Sequence, residues 1–104
     1  MIMRVDEIFT LLQEKYNAVE ITTIGSSIIF RKTLMQDFDI DFTFKWSTCL
    51  IELRKGSARY FASEYWINEE GFGEKLENTI QEYIETAKCI IQKNKLDKIK
   101  EDFT

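Results

Sequence analysis

The chain of 104 residues contains no histidine, the commonest general base at neutral pH and the commonest nitrogen ligand for transition metals. Any bound metal would therefore be an ion that prefers oxygen ligands, such as magnesium or calcium. Carboxylates and lysine can support catalysis, but the sequence offers no convincing catalytic set. We therefore expect a protein that is not an enzyme and that uses no cofactor.

Proline and long apolar runs are absent too. The composition, 44% hydrophobic and 31% charged, is typical of an ordered globular protein. No stretch approaches the roughly 20 apolar residues that a spanning helix needs, and the N-terminal segment carries acids where a signal peptide has its apolar centre. The sequence predicts a single domain over residues 1–104, in the cytoplasm and without a membrane partner.

Cysteine occurs only twice, at Cys49 and Cys89. The two positions show no paired spacing of the kind that zinc sites and redox motifs use. Disulfides are rare in cytoplasmic proteins, and a free cysteine often behaves as a small buried apolar residue. Both are therefore predicted to be buried free thiols.

The period of the hydrophobic pattern changes twice along the chain. Residues 4–16 repeat apolar side chains at the three- to four-residue spacing of a helix, and Asn17 can adopt the left-handed conformation that ends one. Within residues 19–66, apolar and polar residues alternate in segments that turn residues separate, which predicts four or five antiparallel strands in a meander. A longer helical stripe begins at Leu76. We predict an α+β fold in which the N-terminal helix and the long C-terminal helix pack on one face of the sheet.

The predicted turns of the meander carry small residues. Gly25-Ser26 favours a two-residue turn with a positive φ at its first position, although a bulge in one long strand is an alternative. Ser47-Thr48 allows the next reversal, and Lys55-Gly56-Ser57 the one after it.

The clearest strand contains the segment DFDIDFTF, residues 37–44. Alternation predicts that one side carries the apolar residues Phe38, Ile40, Phe42, Phe44 and Trp46. Asp37, Asp39 and Asp41 then form a line of like charges on the other side, about 7 Å apart. This line is either a solvated face paired with bases on neighbouring strands, such as Arg31, Lys32 or Arg54, or a site for a divalent cation.

Gly25-Ser26, followed after about ten residues by Asp39 and Asp41, resembles the signature of the nucleotidyltransferase superfamily. The resemblance covers about the first 45 residues. It implies a Gly-Ser turn that cradles nucleotide phosphates and two aspartates that hold magnesium. The family continues with a helix and a strand bearing a third carboxylate, whereas here two more strands are predicted, with Glu52 as the available substitute. A magnesium-dependent nucleotidyltransferase-like domain is therefore the alternative hypothesis.

Basic and aromatic residues are mixed in the segments FRK (30–32) and RKGSARYF (54–61). Such mixtures line surfaces that bind single-stranded nucleic acid. The chain has a formal charge of −4, however, and lacks the broad positive field that such binding uses. Single-stranded nucleic-acid binding is therefore a second alternative, and a nucleic-acid partner is not expected.

The segment SEYWINEEGFGE, residues 63–74, places large aromatic residues among acids in a loop that leads into the second helix. Protein interfaces favour such aromatics at their centres, but Trp66 and Phe72 can equally fix the helix to the sheet. The residues we assign to partner binding are Asp37, Asp39, Asp41, Tyr65, Trp66, Glu69, Glu70 and Phe72.

These observations together predict a small acidic protein-binding module of the adaptor, inhibitor, immunity-protein or chaperone type, by analogy alone. If the target is a basic nucleic-acid enzyme, the aspartate row and the glutamates around residues 64–77 would imitate phosphates and speed the encounter. The sequence indicates neither the partner nor the oligomeric state.

Overall fold

A computed structural model describes residues 4–102, with side chains at 4–23 and 25–93. Two helices flank five strands: α1 (Val5–Glu14), β1 (Val19–Ile24), β2 (Ser27–Thr33), β3 (Phe38–Lys45), β4 (Thr48–Lys55), β5 (Ala58–Trp66) and α2 (Phe72–Asp102). The strands form one antiparallel sheet in the order β1-β2-β3-β4-β5. The predicted α+β meander is therefore confirmed. Neither described helix is long and apolar enough to cross a membrane.

Helix α1 ends through Asn17, as the sequence predicts. Asn17 has a φ of 56°, which reverses the chain after the last turn. The N–H of Ala18 then donates to the carbonyl oxygen of Leu12 at 2.8 Å, which gives one of the last helical carbonyls a partner beyond the helix. The chain enters β1 directly from this cap.

Three of the four hairpins use two-residue turns whose first residue has a positive φ. These first residues are Gly25 (59°), Trp46 (57°) and Gly56 (60°). A positive φ at the first position only is the type II′ geometry, which suits the twist of hairpin strands. The predicted turns at Gly25-Ser26 and Gly56-Ser57 are confirmed, but the turn expected at Ser47-Thr48 lies one residue earlier, at Trp46-Ser47.

The fourth hairpin, between β2 and β3, turns on Gln36 and Asp37. Their φ values are 55° and 68°, and the N–H of Phe38 closes the turn on the carbonyl oxygen of Met35 at 3.3 Å. Positive φ at both central residues is the type I′ geometry. Asp37 therefore lies in an exposed turn, outside the strand in which its alternation with Asp39 and Asp41 placed it.

The core lies between the sheet and the helices. Phe38, Ile40, Phe42 and Phe44 of β3 are buried on one side of the sheet, as predicted. The last three of these pair across the ladder with the buried residues Leu53, Ile51 and Cys49 of β4. Trp46, which the alternation placed on the same side, is 81% exposed because the chain reverses at that residue.

Helix α1 contacts this core through the fully buried side chains of Ile8 and Leu12 and through aromatic rings. The ring of Phe9 lies 4.9 Å from that of Phe30 and 5.0 Å from that of Phe44, between centroids. Phe30 and Phe44 meet edge to face at 6.0 Å, so the three rings form a closed cluster. This geometry is favourable for aromatic pairs and fixes α1 over β2 and β3.

Helix α2 covers the β4–β5 side of the same face. The hydroxyls of Tyr83 and Ser63 lie 2.8 Å apart, and those of Tyr65 and Thr79 lie 2.9 Å apart. Glu77 of α2 accepts hydrogen bonds from Lys15 and, at 3.2 Å, from the Tyr16 hydroxyl, which connects the two helical segments. Both helices therefore lie on one face of the sheet, as predicted.

The two cysteines are free but differ in environment. Cys49 is buried beneath the helices, and burial raises the pKa of its thiol far above the ordinary value. Cys89 is exposed on α2, so the prediction that both thiols are buried is wrong for Cys89. The helical stripe that we assigned to the core passes beside Cys89, at Ala87 and Ile91.

Candidate protein-binding surface

The side of the sheet that faces away from α1 and α2 is called the open face here. In the part of the chain that the structure describes, no helix packs on it. Strand alternation and ladder register assign its side chains. In strands β2 to β5 they are Ser27, Ile29, Arg31 and Thr33 of β2; Asp39, Asp41, Thr43 and Lys45 of β3; Thr48, Leu50, Glu52 and Arg54 of β4; and Arg59, Ala62, Glu64 and Trp66 of β5.

Asp39 and Asp41, the two aspartates of the open face, both form ion pairs with Arg31. The Nε and Nη2 atoms of Arg31 donate to the two carboxylate oxygens of Asp41 at 2.8 and 3.0 Å. The Nε atom also lies 3.9 Å from the carboxylate of Asp39. Lys32, which we also considered as a partner, instead donates to the backbone carbonyl oxygen of Tyr16 at 2.8 Å.

Glu52 extends this charge network across the sheet. It lies directly opposite Asp41 in the β3–β4 ladder, and the two residues are only 8% and 6% exposed. Arg54 and Arg59 approach the Glu52 carboxylate at 3.3 and 3.4 Å. The neighbouring acids are therefore each compensated by arginine, which offsets the repulsion that adjacent like charges cause in a sheet.

This compensation leaves the row with little capacity for a cation. Within residues 4–23 and 25–93, no group of three or more acids or cysteines is arranged to hold a metal ion. Burial raises the pKa of the Asp39 carboxyl, while the Arg31 guanidinium acts in the opposite direction. Arg31, Asp41, Glu52 and Arg54 thus act as a structural charge network on a sheet face.

The structure does not bring the Gly25-Ser26 turn to the aspartates. Ser27, next to that turn, pairs with Lys45, whereas Asp39 pairs with Thr33 at the far end of β2. The length of β2 separates these positions, which corresponds to about 20 Å. The segment after Asp41 also continues into a hairpin of β3 and β4, where the resemblance to the nucleotidyltransferases implied a helix.

The aromatic residues of segment 63–74 have different environments. Phe72 is 1% exposed at the start of α2, so it is a core residue, as is Tyr65 in part through its bond to Thr79. Trp66 is 60% exposed on the open face, opposite Thr48. Fixing the helix to the sheet is therefore the role of Phe72, and Trp66 is available at the surface.

The acidic residues assigned to partner binding also differ. Asp37 and Glu70 are exposed, in the β2–β3 turn and in the β5–α2 connection. Glu69, in the same connection, accepts from the Lys75 ammonium at 3.1 Å. Asp37 lies at the opposite end of the sheet from Trp66, so the assigned residues do not form one continuous surface.

Trp46, which strand alternation placed in the core, is an exposed residue of the β3–β4 turn. It precedes Ser47, whose carbonyl oxygen accepts from the N–H of Ile67 at 2.7 Å. Trp66 precedes Ile67 in the chain, so the two exposed tryptophans lie at the same end of the sheet. We call Trp46 and Trp66 the tryptophan corner. No sequence signal marks this turn, because tryptophan does not favour the positive φ that it adopts as the first turn residue between β3 and β4.

Trp46 also carries backbone strain. The equivalent turn positions of the β1–β2 and β4–β5 hairpins are glycines, which adopt a positive φ without steric cost. A bulky residue with a φ of 57° is uncommon, and such strain is concentrated at functional sites. The sequence thus retains a large exposed aromatic at a position that favours glycine.

Replacing Trp46 with glycine is expected to raise the free energy of unfolding by roughly 0.5–1 kcal/mol. Relief of the left-handed conformation gains about 1–2 kcal/mol, and the larger freedom of unfolded glycine removes part of that gain. Urea unfolding measures the difference. The matched control is Gly25→Ala, which loses stability through φ alone, since no atom lies within 4 Å of the added Cβ. A less stable Trp46→Gly variant would contradict the argument.

Comparisons of the chain with protein-family models, with curated proteins and with solved structures gave no match.

Proposed function

We propose that the protein is a cytoplasmic protein-binding module that docks on another protein through the tryptophan corner. The observation that supports this most is the exposure of Trp46 and Trp66, 81% and 60%, at one end of the sheet. Tryptophan is among the residues most enriched at the energetic centres of interfaces. One of the two, Trp46, also adopts a left-handed backbone conformation, which is uncommon for a bulky residue and is concentrated at functional sites.

The partner is proposed to present a basic surface. Glu64 lies beside Trp66 on the open face, and Glu69 and Glu70 follow in the connection to α2. An arginine of the partner can stack on an indole ring while its charge is met by these carboxylates. The formal charge of −4 of the whole chain would speed the encounter with such a surface.

The test is a comparison of tagged wild-type protein with a Trp46→Gly/Trp66→Ala variant as bait in lysate of the source cell. Proteins that only the wild type retains are identified, purified and titrated against both forms. We expect direct binding that the variant weakens by about 30-fold or more, corresponding to the loss of an interface centre worth at least 2 kcal/mol. Binding is also expected to weaken as the salt concentration rises.

Met35→Ala is the matched control, because Met35 is 57% exposed at the opposite end of the sheet. It should retain every partner at wild-type affinity. Circular dichroism establishes that each variant is folded. The proposal fails if the wild type and the tryptophan variant bind the same purified partner with equal affinity, or if no partner distinguishes them.

A further inference from the structure

Strand β5 is an edge strand. Among residues 4–102 it pairs with β4 alone, and most of its nine residues are exposed, including Phe61 at 51% and Tyr60 at 44%. A long exposed edge is a template for pairing with another strand. The other edge, β1, is shorter and is interrupted by a bulge between Glu20 and Thr22.

The hydrogen-bond register determines which groups of β5 point outward. The N–H of Ile67 points inward, to Ser47. Since direction alternates along an antiparallel strand, the N–H and C=O groups of Ala62, Glu64 and Trp66 point away from β4. A bulge opposite Leu53 and Arg54 follows, and it places Arg59 on the open face, opposite Arg54.

We propose that β5 pairs with β5 of a second copy of this chain, antiparallel and centred on Ala62, so that two sheets join into one continuous sheet. A two-fold axis at Ala62 brings the two small Ala62 side chains together at an outward-pointing position. It also places Arg59 of each copy opposite Glu64 of the other, because the bulge shifts Arg59 onto the face that carries Glu64. Arg59 lies 3.4 Å from Glu52 of its own chain, and its side chain is 57% exposed, so its guanidinium is able to meet Glu64 of the other copy as a second acid.

The charges of Arg59 and Glu64 favour this register of the β5–β5 pair over the neighbouring registers. A dyad at Glu64 would place the two Glu64 carboxylates opposite each other, and like charges in that position are destabilising. A dyad at Ser63 would pair Glu64 with Ala62 and leave Arg59 without an acid from the other copy. The charges and the bulge on β5 discourage pairing with unrelated strands, and of these three registers the one centred on Ala62 turns them into two attractive pairs.

Light scattering after size-exclusion chromatography, over a range of concentrations, tests the dimer. The wild type is expected to have twice the monomer mass. Arg59→Glu and Glu64→Lys are each expected to be monomeric, since each places two like pairs across the dyad. An equimolar mixture of the two variants should recover the dimer, because both cross-strand pairs are then attractive.

A cross-link tests the register separately. Ala62→Cys in a Cys89→Ser background should form an intermolecular disulfide under mild oxidation, since directly paired Cα atoms lie about 5.5 Å apart. Buried Cys49 does not compete. A monomeric wild type at hundreds of micromolar overturns the proposal. A dimer that the charge variants leave intact, or that the Ala62→Cys substitution fails to cross-link, also overturns it. None of these readouts depends on Trp46, so they are independent of the proposed docking function.

Discussion

Replacing Phe30 with alanine is expected to lower the free energy of unfolding by about 3–5 kcal/mol, the usual cost of removing a buried ring. Phe30 is 1% exposed and contacts both Phe9 of α1 and Phe44 of β3. Its removal leaves a cavity at the junction of helix and sheet. Because domains of this size have total stabilities of about 5–15 kcal/mol, a large part of the stability would be lost.

The experiment is urea unfolding, combined with amide exchange over residues 5–14. We expect exchange in α1 to accelerate more than exchange in β3 and β4, since Phe30 contacts α1 directly while the ladder between β3 and β4 is unchanged. Phe61→Ala is the matched control, because it removes the same atoms from a ring that is 51% exposed. That variant should lose about 1 kcal/mol. Equal losses for the two variants would show that the cluster does not fix α1.

The architecture could be predicted from the sequence because it follows from the local period of the hydrophobic pattern. The apolar side of β3 and the apolar stripe of α2 follow from residue spacing alone. Each is removed from water by packing against the other. Asn17 and Gly25 have a stereochemical preference that specifies their turns. The fold and the buried face were therefore predictable, apart from single residues at the strand ends.

The candidate surface was less predictable, for two physical reasons. A shift of one residue in the β3–β4 turn moved Trp46 from the core to solvent, and periodicity does not determine turn positions to one residue. Trp66 and Phe72 are both large aromatics beside a loop, and only tertiary packing distinguishes them. The position of Glu52 opposite Asp41 depends on the register between strands, which no local pattern contains.

Replacing Arg31 with methionine is expected to lower the free energy of unfolding by about 2–3 kcal/mol. Methionine keeps much of the apolar stem but removes the charge that meets Asp41, which is 6% exposed beside Glu52. Breaking a buried ion pair costs about 3–5 kcal/mol, and the 39% exposure of the Arg31 side chain reduces that value. Arg4→Met is the matched control, since Arg4 pairs with Asp6 in full exposure, and it should leave the free energy of unfolding unchanged within error.

A double variant, Arg31→Met with Asp41→Asn, distinguishes charge from packing. If the loss comes from an uncompensated carboxylate, neutralising Asp41 should recover most of it. If it comes from the arginine stem, the double variant should stay as unstable as Arg31→Met.

The pH dependence of the stability supplies a second criterion. Burial already raises the pKa of Asp39, and loss of the opposing Arg31 charge raises it further. An acid with a raised folded-state pKa binds its proton more tightly in the folded protein. The free energy of unfolding therefore falls as the pH rises from the pKa of Asp39 in the unfolded chain to its higher pKa in the folded protein. The cost of Arg31→Met should accordingly shrink when the pH is lowered from 7 towards about 4, whereas that of Phe30→Ala should show no such change.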